Sequence, residues 1–151
     1  MTRVFGGDLV TTMNEPLVDW SAFSRTRSEL GTNFVRILSY FHDDGVKSVA
    51  AIEGAMRNND AASLVIPAHT LKGEARQFGA EPLANLAEEI EVTARACVES
   101  RDDPSEAIEQ VVALRPLFER TLDMLTREAN PLVARSPGFG RRAAGGGVGR
   151  A

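Results

Sequence analysis

A single histidine lies among basic residues at helical spacing. His69 is followed by Lys72 after three residues, by Gly73 after four and by Arg76 after seven. At the period of an α-helix these residues share one face, and apolar residues such as Leu71 lie on the other. A neutral imidazole is a nucleophile near pH 7, and neighbouring cations favour an incoming phosphoryl group. The pattern therefore predicts a histidine that handles phosphoryl groups.

Gly73 occupies the position whose side chain would shade this histidine. Helical side chains lean toward the N-terminus, so the residue four positions after His69 normally covers it. A glycine inside a helix costs about 0.5–1 kcal/mol relative to alanine. Gly73 lies on the side of the helix away from the apolar stripe, so a close helix crossing does not explain it. We expect the glycine to leave the imidazole open to a large partner.

Two residues further along the chain are candidates for the same site. If consecutive helices turn back near residue 80, Glu91 lies level with His69. Its carboxylate would then accept the Nδ1 proton of His69 and leave Nε2 as the nucleophile. Arg95, one turn later, would also reach the phosphoryl group. For Glu91 and Arg95 alike, an ordinary solvated helix face is the alternative.

The elements that position these residues are helical. Apolar residues repeat with a helical period through residues 19–129, without a convincing strand pattern. Helices are expected over five segments, which are 20–29, 33–57, 61–78, one with Pro82 in its first turn and one opened by the capping sequence that starts at Asp103. The predicted fold class is all-α, an antiparallel four-helix bundle with a short extra N-terminal helix.

Three positions could disturb these helices. Pro67 is expected to kink or restart the third helix two residues before His69, because proline removes a backbone hydrogen bond. Pro116 lies roughly opposite the apolar stripe of the fifth helix, so its kink would fall on the solvent side. Gly45 makes a weak point in the second helix, which we keep whole because its apolar phase continues past that residue.

Composition divides the chain into three parts. Residues 1–18 contain Gly and Pro without a sustained period and are expected to form a flexible arm, residues 19–129 form the bundle, and residues 130–151 form a disordered Gly/Arg-rich tail. Residues 1–130 carry 13 Lys and Arg against all 21 Asp and Glu. Such an acidic body, with only 6% aromatic residues, speaks against a nucleic-acid partner.

Several other classes of protein are disfavoured. The one cysteine, Cys97, excludes an internal disulfide, and together with His42 and His69 it lacks metal-ligand spacing. Cys97 is expected to be buried and His42 to lie at the edge of the core. The sequence shows no apolar run of membrane-spanning length, no signal peptide and no Walker loop. We expect a cytoplasmic protein with no membrane partner, no metal and no kinase activity of its own.

The string from His69 to Gly79 resembles the signature of histidine-containing phosphotransfer (HPt) domains. It has the histidine, the Lys and Gly three and four residues later, and the Gly ten residues later. The match continues through the small, apolar and Glu/Gln positions of the family, which are here Ala80, Leu83, Ile90 and Glu91. The resemblance implies phosphorylation of His69 on Nε2, exchange with a receiver-domain aspartate, and a hydrogen bond that Glu91 accepts from the active histidine.

The same resemblance implies a relay role in two-component signalling. The partners would be receiver domains of response regulators, with a hybrid sensor kinase upstream, and the Mg²⁺ needed for transfer would belong to the receiver. One alternative is an unphosphorylated adaptor that docks a receiver or kinase and inhibits or scaffolds it, although such an adaptor would not need the histidine. The other is a degenerate dimerisation fragment of a histidine kinase, which would require a second helix pair or an ATP domain.

Overall fold

The computed structural model describes residues 16–130. Within that range the chain forms five α-helices and two short 3₁₀ turns, without strands. The helices are α1 (Trp20–Leu30), α2 (Phe34–Arg57), α3 (Ala62–Gln77), α4 (Glu81–Ser100) and α5 (Ile108–Ala129). Each long helix packs on two others in the cyclic order α2, α3, α4, α5. The predicted four-helix bundle with a short N-terminal helix is confirmed.

Three aspartates cap helical segments, and the third caps a 3₁₀ turn instead of the predicted fifth helix. Asp19 accepts the backbone N–H groups of the first turn of α1, and Asp60 accepts Ser63 N at 3.2 Å before α3. Asp103 accepts Ser105 N at 3.0 Å. That cap opens the 3₁₀ turn Ser105–Ala107, so α5 begins only at Ile108. The predicted fifth helix therefore starts later than its capping sequence indicates.

The prolines inside the helices do not interrupt them. α3 continues through Pro67, so the restart expected there does not occur. Proline removes only one hydrogen bond, and the buried residues Leu64, Ala68 and Leu71 hold both sides of Pro67 against the core. α5 likewise continues through Pro116, which is exposed as its position on the helix predicts.

An unbroken series of aromatic rings crosses the core. Edge-to-face and stacked pairs, with ring centroids 5.1–6.0 Å apart, link Trp20, Phe23, Phe34, Phe78, Phe41 and Phe118 in that order. Such pairs each contribute about 0.5–1.5 kcal/mol beyond the area they bury. The series connects α1, α2 and α5 to Phe78, which directly follows α3.

The short helix α1 is fastened to the turn between α3 and α4. Asp19 N donates to Gly79 O at 2.8 Å, and Thr26 Oγ1 donates to Gln77 O at 2.6 Å. Gly79 has φ +80°, and a Cβ there would stand 2.6 Å from Asp19 O. The turn therefore requires glycine for its backbone angle and for this close approach.

Part of the predicted N-terminal arm belongs to the bundle. Val18 is buried in the core, one residue before the predicted boundary, and Leu17 packs against it. Residues 1–15 of the arm and residues 131–151 of the tail lie outside the described residues.

Gly45 permits close packing of α2 against α5. The residue is buried, and a Cβ at this position would overlap the ring of Phe118. Gly54, in the same helix, has only Arg57 Nη2 near its Cβ position, at 3.8 Å. Gly45 is therefore a contact residue of the core, and α2 runs through it as one helix.

Alanine at Gly45 should destabilise the protein although alanine is the better helix former. Displacing Phe118 is expected to lower the free energy of unfolding by about 1–3 kcal/mol. The matched variant Gly54→Ala should raise it by about 0.5–1 kcal/mol. Urea unfolding followed by circular dichroism measures both. Equal shifts for the two variants would show that the contact with Phe118 imposes no constraint.

Candidate functional site

His69 presents its imidazole to solvent from the middle of α3. Its side chain is 60% exposed. Gly73 is also exposed, and a Cβ there would find no atom within 4 Å. No neighbouring helix in the described part of the chain comes close enough to require a glycine here. The missing side chain instead leaves the space beside the imidazole open, as the position of Gly73 on the helix predicts.

A buried carboxylate on α4 contacts three basic side chains. The side chain of Glu91 is only 6% exposed, and its Oε2 lies 2.9 Å from His69 Nδ1, where the hairpin register predicts it. Lys72 Nζ lies 2.8 Å from Oε1. Arg95 donates to Oε2 through Nε at 3.1 Å and Nη2 at 2.8 Å. The α3–α4 hairpin thus brings four of the predicted residues together.

These contacts set the charge of Glu91. Burial raises the pKa of the carboxyl, but the hydrogen bonds from Lys72, Arg95 and His69 outweigh burial and bring the pKa down to about 2. Glu91 is therefore ionised at every physiological pH.

The ionised carboxylate also decides which nitrogen of His69 carries the proton. A carboxylate only accepts hydrogen bonds, so the Nδ1 that lies against it must be the donor. In the neutral imidazole the lone pair is then on Nε2. The atom left for nucleophilic attack is Nε2.

Lys72 and Arg95 keep unused donors. An ammonium has three N–H groups and a guanidinium has five, and Glu91 occupies only part of each set. Both can therefore hold Glu91 and donate to an anion near His69 at the same time. Together with Glu91 they give the surroundings of the imidazole one net positive charge.

Arg76 differs from its sequence-based expectation. The sequence predicts its charge at the phosphoryl position, but its Nη2 lies 2.8 Å from Glu88 Oε1 and 3.2 Å from Asn85 Oδ1. Its Nε lies 3.6 Å from Glu81 Oε1. The structure therefore places this guanidinium against α4. Sequence reasoning missed these partners, although the register that pairs His69 with Glu91 also sets Arg76 opposite this turn of α4.

Other potentially reactive groups lie apart from this cluster. His42 is exposed and contacts Asp43 at 3.0 Å. Cys97 is buried, and burial raises the pKa of its thiol, which leaves it a small apolar core residue. Within residues 16–130 there is no group of three side chains arranged to hold a metal ion. In the same range no helix combines the length and the hydropathy needed to cross a bilayer.

Comparison with solved structures gives the same architecture. The crystal structure of histidine-containing phosphotransfer protein B (HptB) from Pseudomonas aeruginosa PAO1 superposes with a TM-score of 0.66. The sequence identity is 22%, and the superposition covers 76% of this chain and 95% of that one. This likeness establishes the fold. No curated protein matches the sequence.

The family model of the Hpt domain matches residues 36–128. The match spans well over half of the chain and includes the hairpin that carries His69 and Glu91. Proteins of this family are phosphotransfer carriers of two-component signalling, not kinases. With an exposed histidine held by a buried carboxylate in a four-helix bundle, the chain belongs to the Hpt domain family.

Proposed function

We propose that this protein is a phosphorelay intermediate. It accepts a phosphoryl group on His69 from an aspartate of one receiver domain and passes the group to the aspartate of another. The observation that carries the proposal is the contact of 2.9 Å between Glu91 Oε2 and Nδ1 of an exposed His69. A scaffold that only docks partners would not need a histidine with a fixed tautomer.

The transfer needs no energy input beyond the aspartyl phosphate. The lone pair of His69 Nε2 attacks phosphorus, the N–P bond forms, and the P–O bond to the aspartate breaks with its electrons remaining on the carboxylate. The imidazole then carries a positive charge, and Nδ1 keeps its proton. Glu91, ionised and in contact with that proton, stabilises this charge. Passing the group onward reverses these steps.

The phosphoryl oxygens take up the remaining donors of the site. Lys72 and Arg95 hold Glu91 and still have N–H groups for an anion. In this proposal the Mg²⁺ that balances the charge during transfer belongs to the receiver domain.

Exposed apolar side chains near His69 support a protein partner. Ile66 is one turn before His69 on α3 and is 72% exposed, and Val92 on α4 is also exposed. A receiver domain that covers the histidine would remove both from water, which favours association.

Glutamine at His69 should abolish phosphoryl acceptance and leave the fold intact. Because the imidazole is exposed and Glu91 keeps Lys72 and Arg95, the free energy of unfolding should change by no more than about 0.5 kcal/mol. Labelled, phosphorylated receiver domains serve as donors. Label should appear only on the wild type and be lost in acid but retained in base. A labelled His69→Gln protein contradicts the proposal. Loss of helical circular dichroism in this variant contradicts the expectation that an exposed site leaves the fold intact.

Leucine at Gly73 should slow transfer without loss of stability. Its side chain would lean over His69, so we expect transfer to slow by about tenfold or more. The helix itself should gain several tenths of a kcal/mol. Gly54→Leu on α2 is the matched control and should transfer at the wild-type rate. An unchanged rate for Gly73→Leu would show that shading of the imidazole does not limit transfer.

Removal of the Glu91 charge should alter stability in a pH-dependent way. Its folded-state pKa of about 2 lies below the ordinary 4.5, so its contribution is present above pH 4.5 and lost as the pH falls toward 2. Urea unfolding should show wild type more stable than Glu91→Gln by about 2–3 kcal/mol near pH 6, with the difference vanishing near pH 2. A constant difference would mean that the charge is not its source.

The same residue can be tested as a positioning group in transfer. Glu91→Ala should slow transfer strongly because nothing then orients His69 Nδ1. Glu91→Gln keeps an acceptor oxygen and should recover part of the rate. Equal rates for these two variants would remove Glu91 from the mechanism.

A further inference from the structure

A second group of charges lies beside the histidine. Glu81 and Glu88 on α4 flank the guanidinium of Arg76, at 3.6 Å and 2.8 Å. We call these three residues the carboxylate rim. Arg76 is 40% exposed, Glu88 45% and Glu81 50%. The rim is thus an ion-paired but solvent-accessible part of the surface.

The guanidinium of Arg76 is bound by residues of α4 and is not directed at the phosphoryl position beside His69. Arg76 follows His69 by seven residues, which is about 10 Å along the helix axis. Glu88 and Asn85 hold Arg76 in place besides. The charges of the rim are therefore available to the surface of a partner.

The rim lies on the face that a partner of His69 must cover. Arg76 is on the same side of α3 as His69, and Gly73, between them, has no side chain. On α4, Glu88 precedes Glu91 by one turn. A receiver domain with its aspartate against His69 therefore reaches the rim as well.

The two ends of this face carry opposite net charge. Around the imidazole, Lys72 and Arg95 exceed Glu91 by one positive charge. In the rim, Glu81 and Glu88 exceed Arg76 by one negative charge. An anionic aspartyl phosphate fits the first end. The second end repels an acidic surface and attracts a basic one.

We propose that the carboxylate rim selects receiver domains that carry a Lys or Arg on the side of the acceptor aspartate that faces the α3–α4 turn. The inference rests on the proposed relay function and adds the chemistry of the partner surface. Opposite charges at two points fix one orientation of docking and penalise receivers with an acid at the second point. The rim acts on recognition, and the phosphoryl chemistry remains with His69 and Glu91.

The test compares two exposed acids that each pair with an arginine. Glu88→Lys reverses the charge in the rim, and Asp123→Lys does the same on α5, where Asp123 pairs with Arg127 at 3.0 Å. The donor is the phosphorylated receiver domain that labels wild type fastest in a panel from the same organism. Transfer is measured against receiver concentration for the 151-residue chain and both variants.

Glu88→Lys should raise the half-saturating receiver concentration about tenfold at low salt and leave the maximal rate unchanged. Added salt should shrink the difference, while Asp123→Lys should match wild type. Glu88→Gln, which cannot repel Arg76, should show a smaller shift in the same direction. Equal effects of Glu88→Lys and Asp123→Lys, or a loss confined to the maximal rate, would overturn the inference.

A charge exchange completes the experiment. Replacing the facing Lys or Arg of the receiver by Glu should weaken transfer to wild type and restore transfer to Glu88→Lys. If no acidic substitution on the receiver has this reciprocal effect, the rim does not select partners. Failure of the relay proposal looks different, because wild type itself would then accept no label from any receiver.

Discussion

The site depends on keeping one buried carboxylate ionised. An unpaired charge as enclosed as that of Glu91 costs several kcal/mol, so the carboxylate persists only because Lys72, Arg95 and His69 converge on it. The convergence requires α3 and α4 to lie antiparallel in one register. A shift by one residue would turn at least one of these donors away. The same electrostatic requirement therefore fixes the register of the hairpin and the proton on Nδ1 of His69.

Helix α1 and the aromatic series support the α3–α4 turn from outside the hairpin. α1 is hydrogen-bonded to the α3–α4 turn at Gly79, and the aromatic series runs from α1 to the end of α3. On the far side, Gly45 lets α2 and α5 approach closely around Phe118. All of α1 lies before the residues matched by the family model, which begin at residue 36. This short helix braces the turn of the hairpin that carries the site.

Features that follow from helical geometry could be predicted from the sequence, and those that depend on tertiary neighbours could not. A constant rise and period are enough to place His69 opposite Glu91 and Gly73 beside the imidazole. The helix restart expected at Pro67 does not occur, because buried neighbours on both sides outweigh one lost hydrogen bond. At Gly45 the sequence predicts the unbroken helix correctly but not the contact with Phe118, because the two residues are distant in sequence. The ion pair between Arg76 and Glu88 depends on side-chain conformations, which the helical period of the sequence does not specify.

The position of Glu91 only 22 residues after His69 has a consequence for folding. The site is carried by one helical hairpin, so its assembly closes a short loop and requires no contact between distant parts of the chain. Disturbance of the α2–α5 packing would then lower the stability of the whole molecule while leaving the reactive nitrogen oriented. Substitutions in much of the core of such a protein would therefore leave the chemistry at the histidine unchanged.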